Sequence, residues 1–274
     1  MPTIHPTAVI DRGAEIAAGA DVGPYCTIGA NAAIGEDCRL SAHVHVTGHT
    51  AIGARTRIAP FASLGTPPQS TRYRGGPTRL TIGADCDIRE GVTMNVGTED
   101  DRALTEVGQG CFLMVGSHVA HDCRVGANVT FANNVVLGGH VSVGDNVVFG
   151  GNTAVHQFVR VGEGAMVGGV SGVTADIIPF AFAFGQRAFL DGLNIVGLRR
   201  RGIAGAELHR LRRAYRQLFH GDGVFRDRLD AVEREFADEP LVAKVVAFIR
   251  AGGTRPLTLP ERHRRADEPG GNAP

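Results

Sequence analysis

Between Ile10 and Leu40 the chain reads IDRGAEIAAGADVGPYCTIGANAAIGEDCRL, with an aliphatic residue at every sixth position. A period of six fits neither an α-helix, at about 3.6 residues per turn, nor a simple strand, so it indicates a repeat architecture. The pattern continues to Leu64, resumes at Ile82, and later runs from Val107 to Val173 with two phenylalanines among the aliphatics.

Two further positions share this period. The residue after the aliphatic is often Gly, which can turn without a steric penalty. The fourth residue after it is usually small, as at Ala20, Cys26 and Ala32. Each hexad therefore reads as a short strand and a turn, with one large and one small side chain pointing inward. Three hexads would close a triangular coil, and coils would stack at about 4.8 Å. The pattern predicts a parallel β-helix.

The composition excludes several classes of protein. The formal net charge of the 274 residues is zero, so no bulk attraction to nucleic acid is implied. No run approaches the roughly 18 apolar residues of a membrane span, and the N-terminus is already in the hexad register, unlike a signal peptide. The small inward position holds all five cysteines: Cys26, Cys38, Cys86, Cys111 and Cys123. Used as small apolar residues rather than as a disulfide framework, they predict a reducing, cytoplasmic location.

The pattern divides the chain into four parts. Residues 1–179 form the β-helix, with loop insertions near 66–79 and 97–106 that can carry binding residues. Residues 180–202 are an aromatic-rich connector, and 203–253 have helical periodicity. Residues 254–274, rich in Pro, Gly and charge, are predicted to be a disordered tail.

The first predicted helix is amphipathic. Between Ala206 and His220, one face carries Leu208, Leu211, Tyr215 and Leu218. Arginines occupy the rest of the surface: Arg210, Arg212, Arg213 and Arg216. Such a basic face suits an acidic protein partner.

Polar residues that carry chemistry concentrate in GSHVAHDC, residues 116–123. His118 and His121 occupy outward positions, and Asp122 follows His121 directly. A histidine oriented by a carboxylate is the usual form of a general base. His140 comes about one coil later and should stack close to His121, and His156 begins the next layer. The alternative is that these are surface histidines on a polar face.

A zinc site on three histidines is a second alternative, as in trimeric β-helical carbonic anhydrases of the gamma class. His118 and His121 are three residues apart and lack companion carboxylates resembling a second shell of ligands. We therefore predict no metal, and the sequence indicates no other cofactor.

Several stretches resemble the UDP-N-acetylglucosamine 3-O-acyltransferase family. These are IREGVT at Ile88, HVAHDC at His118, ANN at Ala132, GGHV at Gly138, AVHQF at Ala154, VGGVSGV at Val167 and NIVGLRRRG at Asn194. The resemblance spans His5 to Phe248, including the helical part that smaller hexapeptide acetyltransferases lack. It implies an all-β left-handed parallel β-helix followed by a small α-helical domain, and a homotrimer with active sites between subunits.

The resemblance also implies an activity: transfer of an (R)-3-hydroxyacyl chain from acyl carrier protein to the 3-hydroxyl of UDP-N-acetylglucosamine, the first step of lipid A synthesis. Its implied site residues follow. His121 would be the general base, Asp122 its orienting group, and the Gly139 N–H the oxyanion donor. Substrate contacts would come from Arg72, His118, His140, His156, Gln157, Asn194, Arg200 and Arg201. Gly169 takes the position that limits acyl length, and as glycine it predicts an open groove and a long chain.

Three alternatives remain open from the sequence. One is a short-chain transferase that uses coenzyme A, another is acylation of a 3-amino sugar nucleotide, and a third is a catalytically silent scaffold. The helical part argues against the first, and the His121–Asp122 pair argues against the third. Asn95 and Val196 depart from the family pattern, where His and Glu are expected, so contacts to sugar and nucleotide can differ in detail.

Overall fold

A computed structural model describes residues 1–261 of the protein as a parallel β-helix followed by a helical segment. Its strands are β1 (Thr3–Ile4), β2 (Val9–Ile10), β3 (Glu15–Ile16), β4 (Asp21–Val22), β5 (Thr27–Ile28), β6 (Ala33–Ile34), β7 (Arg39–Leu40), β8 (His45–Val46), β9 (His49–Ile52), β10 (Arg57–Ile58), β11 (Ser63–Thr66), β12 (Arg79–Ile82), β13 (Asp87–Ile88), β14 (Thr93–Asn95), β15 (Leu104–Val107), β16 (Phe112–Leu113), β17 (His118–Val119), β18 (Arg124–Val125), β19 (Thr130–Phe131), β20 (Val136–Leu137), β21 (Ser142–Val143), β22 (Val148–Phe149), β23 (Ala154–Val155), β24 (Arg160–Val161), β25 (Met166–Val167), β26 (Gly172–Val173), β27 (Ala181–Phe184) and β28 (Phe189–Leu193). Its helices are α1 (Ile195–Arg200), α2 (Gly205–His220), α3 (Phe225–Glu235) and α4 (Pro240–Arg250).

Every third strand pairs in parallel with the next, which produces three sheets. Sheet A runs β1-β4-β7-β10-β13-β16-β19-β22-β25 and ends in β27 and β28; sheet B runs from β2 to β26, and sheet C from β3 to β24. Paired residues in neighbouring regular coils are 18 positions apart, as in Phe112↔Thr130↔Val148. Three hexads per coil produce this spacing, so the predicted parallel β-helix is confirmed.

The three sheets meet at three corners, named here by the sheets they join. The AB corner contains Gly116, Asn134, Asn152 and Val170; the BC corner contains Asp122, His140 and Phe158; and the CA corner contains Asn128, Asn146 and Gly164. All of these residues have φ between 56° and 71°. This left-handed conformation suits Gly, Asn and Asp at the tight turns. At the BC corner it also turns the side chains of His140 and Phe158 outward.

The interior follows the hexad pattern. Phe131 and Phe149 are fully buried, with ring centroids 5.3 Å apart. All five cysteines are buried and free, in agreement with their use as small apolar residues. At the N-terminal end Ile4 is 41% exposed, since its coil has a neighbour on one side only.

Two insertions enlarge the regular coil. Arg57 pairs with Asp87 and Asp87 with Phe112, so the loops at 66–79 and 97–106 leave the coils without breaking sheet A. Buried Asn95 holds the base of the first loop, because its Nδ2 donates to Thr66 Oγ1 and to Pro67 O at 3.0 Å each.

The coils end at an antiparallel hairpin of β27 and β28, and the helices follow. The buried face of α2 contains Leu208, Leu211, Ala214, Tyr215, Leu218 and Phe219. It includes all four residues that the periodicity predicts for this face. Ile178 and Leu193 of the β-helix end pack with α2 and α4 around a small cavity, so the two parts share a continuous core.

The structure differs from the prediction of a disordered tail that begins at residue 254. Leu257 bridges Asp176 and Pro260 bridges Leu190, because apolar side chains in this stretch pack against the last strands. Residues 262–274, the rest of the predicted tail, lie outside the described residues. Within residues 1–261 the structure contains no helix with the length and apolar character needed to cross a membrane.

Candidate active site

The BC corner presents a histidine–carboxylate pair. His121 follows β17, and its Nδ1 lies 2.9 Å from Asp122 Oδ2. The Asp122 side chain is fully buried, whereas 18% of the His121 side chain is exposed. With Nδ1 held by the carboxylate, Nε2 is the nitrogen left to exchange a proton with a ligand.

The loop at 97–106 holds this carboxylate. Asp122 accepts hydrogen bonds from the Thr98 backbone N–H at 3.0 and 3.1 Å and from Thr98 Oγ1 at 2.6 Å. Burial raises the pKa of Asp122, but the hydrogen bonds from His121 and Thr98 outweigh it and hold that pKa below its ordinary value. Asp122 is therefore an anion near neutral pH and can stabilise a protonated His121.

Gly139 lies directly beneath the His121 ring. A Cβ at this position would stand 2.5 Å from His121 Cε1 and 2.7 Å from Nε2, so a larger residue would displace the ring. Within residues 1–261 no backbone carbonyl accepts from the Gly139 N–H. An N–H without a partner beside a basic nitrogen is the arrangement that an oxyanion hole requires.

One coil further on, His140 extends the histidine column. Its ring is perpendicular to that of His121, with centroids 5.0 Å apart, as the coil spacing predicts. Its Nδ1 lies 2.6 Å from Asp101 Oδ2. The next ring in this column is Phe158, stacked on His140 at 4.5 Å. His156 precedes Phe158 by two residues, directly after β23, and is not part of this column.

His118 lies on the outer face of sheet B beside the corner. Its Nδ1 is 2.7 Å from Thr93 Oγ1. Burial, followed by the nearby His121, lowers the pKa of His118. His118 is thus neutral at physiological pH, and its hydrogen bond with Thr93 fixes the orientation of the ring.

Several of these residues, though not His118 or Gly139, line a cleft of about 670 Å³. His121, Asp122, His140 and Gln157 form its floor, and both loops contribute walls through Arg72 and Thr98. Arg72 is exposed and its side chain forms no ion pair within the described part of the chain. An unpaired guanidinium in a cleft suits a phosphate group.

The structure does not bring all predicted site residues to this cleft. Asn194 caps α1 by accepting from Gly197 N at 3.0 Å and donates to Gly164 O at the CA corner. Arg201 donates to Glu163 beside the same corner, and Arg200 is exposed at the end of α1. In a single chain, the residues predicted to contact the nucleotide therefore lie near the CA corner, whereas His121 lies at the BC corner.

Gly169 and His156 are also outside the cleft. Gly169 is exposed at the AB corner, where an added Cβ would be 3.1 Å from Gly151 O. His156 is exposed, and its Nδ1 lies 2.7 Å from the Arg255 guanidinium.

His121, Asp122 and His140 also place potential metal-ligand atoms within 4.8 Å of one another. However, the Asp122 carboxylate already accepts three bonds from Thr98 and one from His121, which favours an orienting role over ligation. The absence of a metal remains a prediction.

Sequence reasoning missed several residues around the cleft. Thr98 and Asp101 support the two histidines from a loop whose composition signals only a turn. Arg160 lines the cleft and is bound at 2.7 Å to fully buried Asp176. Arg255, assigned to the tail, donates to Gln157 O at 3.0 Å. A contact between a charged side chain and a partner many residues away leaves no local sequence pattern from which it could be predicted.

Comparison with known proteins shows which family the chain resembles. Residues 176–258 match a family model described as "Udp N-acetylglucosamine O-acyltransferase; Domain 2", and residues 105–139 match one described as bacterial transferase hexapeptide. The acyl-[acyl-carrier-protein]–UDP-N-acetylglucosamine O-acyltransferase of Azorhizobium caulinodans is 54% identical over 265 residues, covering 97% of this chain and 98% of that protein.

Solved structures are similar over nearly the whole chain as well. The UDP-N-acetylglucosamine O-acyltransferase from Moraxella catarrhalis superposes with a TM-score of 0.91 and 40% identity, covering 93% of this chain and 99% of that one. LpxA from Acinetobacter baumannii gives a TM-score of 0.90 and 38% identity over the same shares. Similarity at this level over nearly the whole chain establishes the family. The chain is a member of the UDP-N-acetylglucosamine O-acyltransferases, a family of acyltransferases built on hexapeptide repeats.

Proposed function

We propose that the protein transfers an (R)-3-hydroxyacyl chain from acyl carrier protein to the 3-hydroxyl of UDP-N-acetylglucosamine, at the start of lipid A synthesis. One observation carries this proposal: the buried Asp122 carboxylate orients the partly exposed His121 at the floor of a cleft, in a chain 54% identical to a named enzyme of this activity. An oriented base in a cleft is the machinery that acyl transfer to a hydroxyl needs.

The chemistry begins at the sugar hydroxyl. His121 Nε2 takes the hydroxyl proton while the oxygen attacks the thioester carbonyl, and the Asp122 anion stabilises the resulting imidazolium. The Gly139 N–H donates to the oxyanion of the tetrahedral intermediate. When the C–S bond breaks, His121 returns the proton to the leaving thiolate, so the ester and the free thiol of the carrier are formed.

Substrate contacts follow from the walls of the cleft. The unpaired Arg72 guanidinium suits the diphosphate, and Gln157 on the floor suits the N-acetyl group. His118 and His140 flank the base. Asn194, Arg200 and Arg201 would reach the nucleotide or the donor from another subunit. His156 would contact the substrate from just outside the cleft.

A homotrimer of left-handed β-helices with parallel axes would complete such a site. The positions of Asn194 and Arg201 near the CA corner, and of Gly169 at the AB corner, support it, because one chain keeps them away from the BC corner. When three triangular β-helices pack with parallel axes, corners of neighbouring chains lie against each other. The acyl chain would then run between subunits past Gly169, where the lack of a side chain leaves the groove open to long chains.

The carrier protein would dock on α2, but on fewer arginines than the sequence indicates. Arg210 pairs with Glu239, and Arg213 pairs with Glu235 and stacks over Phe236. Arg212 and Arg216, four residues apart on one helical face, remain exposed. These two are the arginines of α2 that remain available to an acidic partner.

Mass spectrometry of the products tests the reaction. Purified protein is incubated with UDP-N-acetylglucosamine or its 3-amino analogue, and with acyl chains of several lengths on carrier protein or coenzyme A. The proposal expects a 3-O-acyl product from the carrier-bound (R)-3-hydroxyacyl donor. If product formed only with the 3-amino analogue, or only with the coenzyme A donor, the proposal would be refuted. The result would then favour acylation of a 3-amino sugar nucleotide or a transferase that uses coenzyme A.

A further inference from the structure

The loop at 97–106 supports a second histidine–carboxylate pair beside the first. Asp101 Oδ2 lies 2.6 Å from His140 Nδ1, a shorter contact than the 2.9 Å between Asp122 Oδ2 and His121. The His140 side chain is 19% exposed and that of Asp101 41%. Each of the two neighbouring histidine rings thus has its Nδ1 bound by one carboxylate.

The two partners of the His140 ring fix different degrees of freedom. Phe158 lies parallel to it, at an interplanar angle of 9°, and so fixes the plane of the imidazole. Stacking does not distinguish the two flipped orientations of the ring, which exchange a nitrogen for a carbon along each edge. The bond to Asp101 selects the orientation in which Nδ1–H points to the loop and Nε2 is free.

A single short segment governs both rings. Thr98 binds Asp122 behind His121, and Asp101, three residues later, binds His140. Within residues 1–261, the neighbouring Asp100 is exposed and its carboxylate accepts no hydrogen bond, and Arg102 pairs with Glu106. Asp100 and Arg102 also line the cleft, but Asp101 is distinguished from them by its hydrogen bond to His140.

We propose that Asp101 is a positioning residue that acts through His140. With Nδ1–H donated to Asp101, the Nδ1–H tautomer of His140 presents Nε2 to the cleft as a hydrogen-bond acceptor. At this place, His140 Nε2 can accept a hydrogen bond from a sugar hydroxyl. That hydroxyl is the neighbour of the hydroxyl that His121 deprotonates. This role rests on the proposed function; the orientation of the ring does not.

Steady-state kinetics of Asp101→Ala, Asp101→Asn and the matched Asp100→Ala test the role. We expect Asp101→Ala to lower kcat/KM for the sugar nucleotide roughly 10- to 100-fold, the size expected for a hydrogen bond to a charged group. Asp101→Asn should recover part of the loss, because its amide oxygen accepts the same bond. Equal losses in Asp100→Ala and Asp101→Ala would overturn the proposal, since a general effect of charge would explain both.

A double-mutant cycle with His140→Ala separates a route through His140 from direct action. In the His140→Ala background, Asp101→Ala should have no further effect, because the group it positions is gone. Additive losses would refute the mechanism.

Long-range ¹H–¹⁵N spectra of histidine-labelled protein give a readout that needs no activity. They should show His140 as the Nδ1–H tautomer in the wild type and a changed tautomer mixture in Asp101→Ala, with the His140→Ala spectrum providing the assignment. An unchanged His140 signal would refute the positioning role. A wild-type enzyme that fails to acylate the sugar nucleotide, but shows the expected tautomer, would refute the proposed function alone.

Discussion

Replacing Asp122 by Asn should nearly abolish turnover while the fold is kept, and the reason lies in which atoms face Asp122. The Thr98 N–H donates to both carboxylate oxygens, at 3.0 Å to Oδ1 and 3.1 Å to Oδ2, so an amide oxygen of Asn at the Oδ1 position still accepts from it. Its NH₂ group then takes the place of Oδ2, facing Thr98 Oγ1 and His121 Nδ1. The hydroxyl can rotate to accept, but His121 Nδ1 must accept too, which moves the ring proton to Nε2.

A ring with its proton on Nε2 cannot act as the base. General-base catalysis supplies about 10²- to 10⁴-fold in rate, and the corresponding Asp-to-Asn change in Ser-His-Asp enzymes lowers kcat about 10⁴-fold. We therefore expect kcat of Asp122→Asn to fall by about 10³- to 10⁴-fold. Because the amide is isosteric with the carboxylate and keeps its partners, the thermal unfolding midpoint should change little.

The assay follows formation of acylated UDP-N-acetylglucosamine from the carrier-bound donor between pH 6 and 9. Asp85→Asn is the matched control, because exposed Asp85 accepts from Arg55 in the N-terminal coils and the site contains neither residue. It should keep wild-type activity. An Asp122→Asn protein with more than a tenth of wild-type kcat would show that the tautomer of His121 does not limit catalysis.

Four other outcomes are expected. His121→Ala should lose at least about 100-fold in turnover without loss of fold, because a partly exposed side chain adds little packing; activity above a tenth of wild type would exclude His121 as the base. Light scattering should give a homotrimer, and a fully active monomer would contradict a cleft shared between subunits. The pair Arg212→Glu and Arg216→Glu should raise KM for acyl carrier protein, more so at low salt, and leave KM for acyl-pantetheine unchanged; equal increases for both donors would argue against docking on α2. Wild-type enzyme should prefer chains longer than ten carbons, and Gly169→Met should shift the preference to shorter donors by up to about 15-fold per two carbons, since each buried methylene contributes about 0.8 kcal/mol; unchanged selectivity would place the end of the groove elsewhere.

Sequence periodicity predicts the coil well because one local rule, one large and one small inward residue per hexad, repeats along the chain. The same rule predicts that His121 and His140 are neighbours. The same register places Phe158, 18 residues after His140, on the His140 ring, so His156 does not continue this column. Local rules explain coil stacking and little beyond it.

Contacts outside the repeat had to be seen in three dimensions. Thr98 and Asp101 reach the histidines from an insertion, and nothing in GTEDDR identifies which carboxylate binds a ring. The ion pairs of Arg210 and Arg213 likewise depend on how α2 meets α3 and the turn before α4. These contacts depend on the conformation of insertions and on tertiary packing.

The buried cysteines make the interior a set of reporters of local opening. Each thiol lies inside a particular coil, and Cys123 lies under the BC corner, where Sγ donates to Gly138 O. Burial raises the pKa of Cys123 to about 12, so it reacts with an alkylating reagent only when its coil opens. Labelling rates measured thiol by thiol would therefore rank the coils by their opening free energy, from Cys26 near the N-terminal end to Cys123 beneath His121.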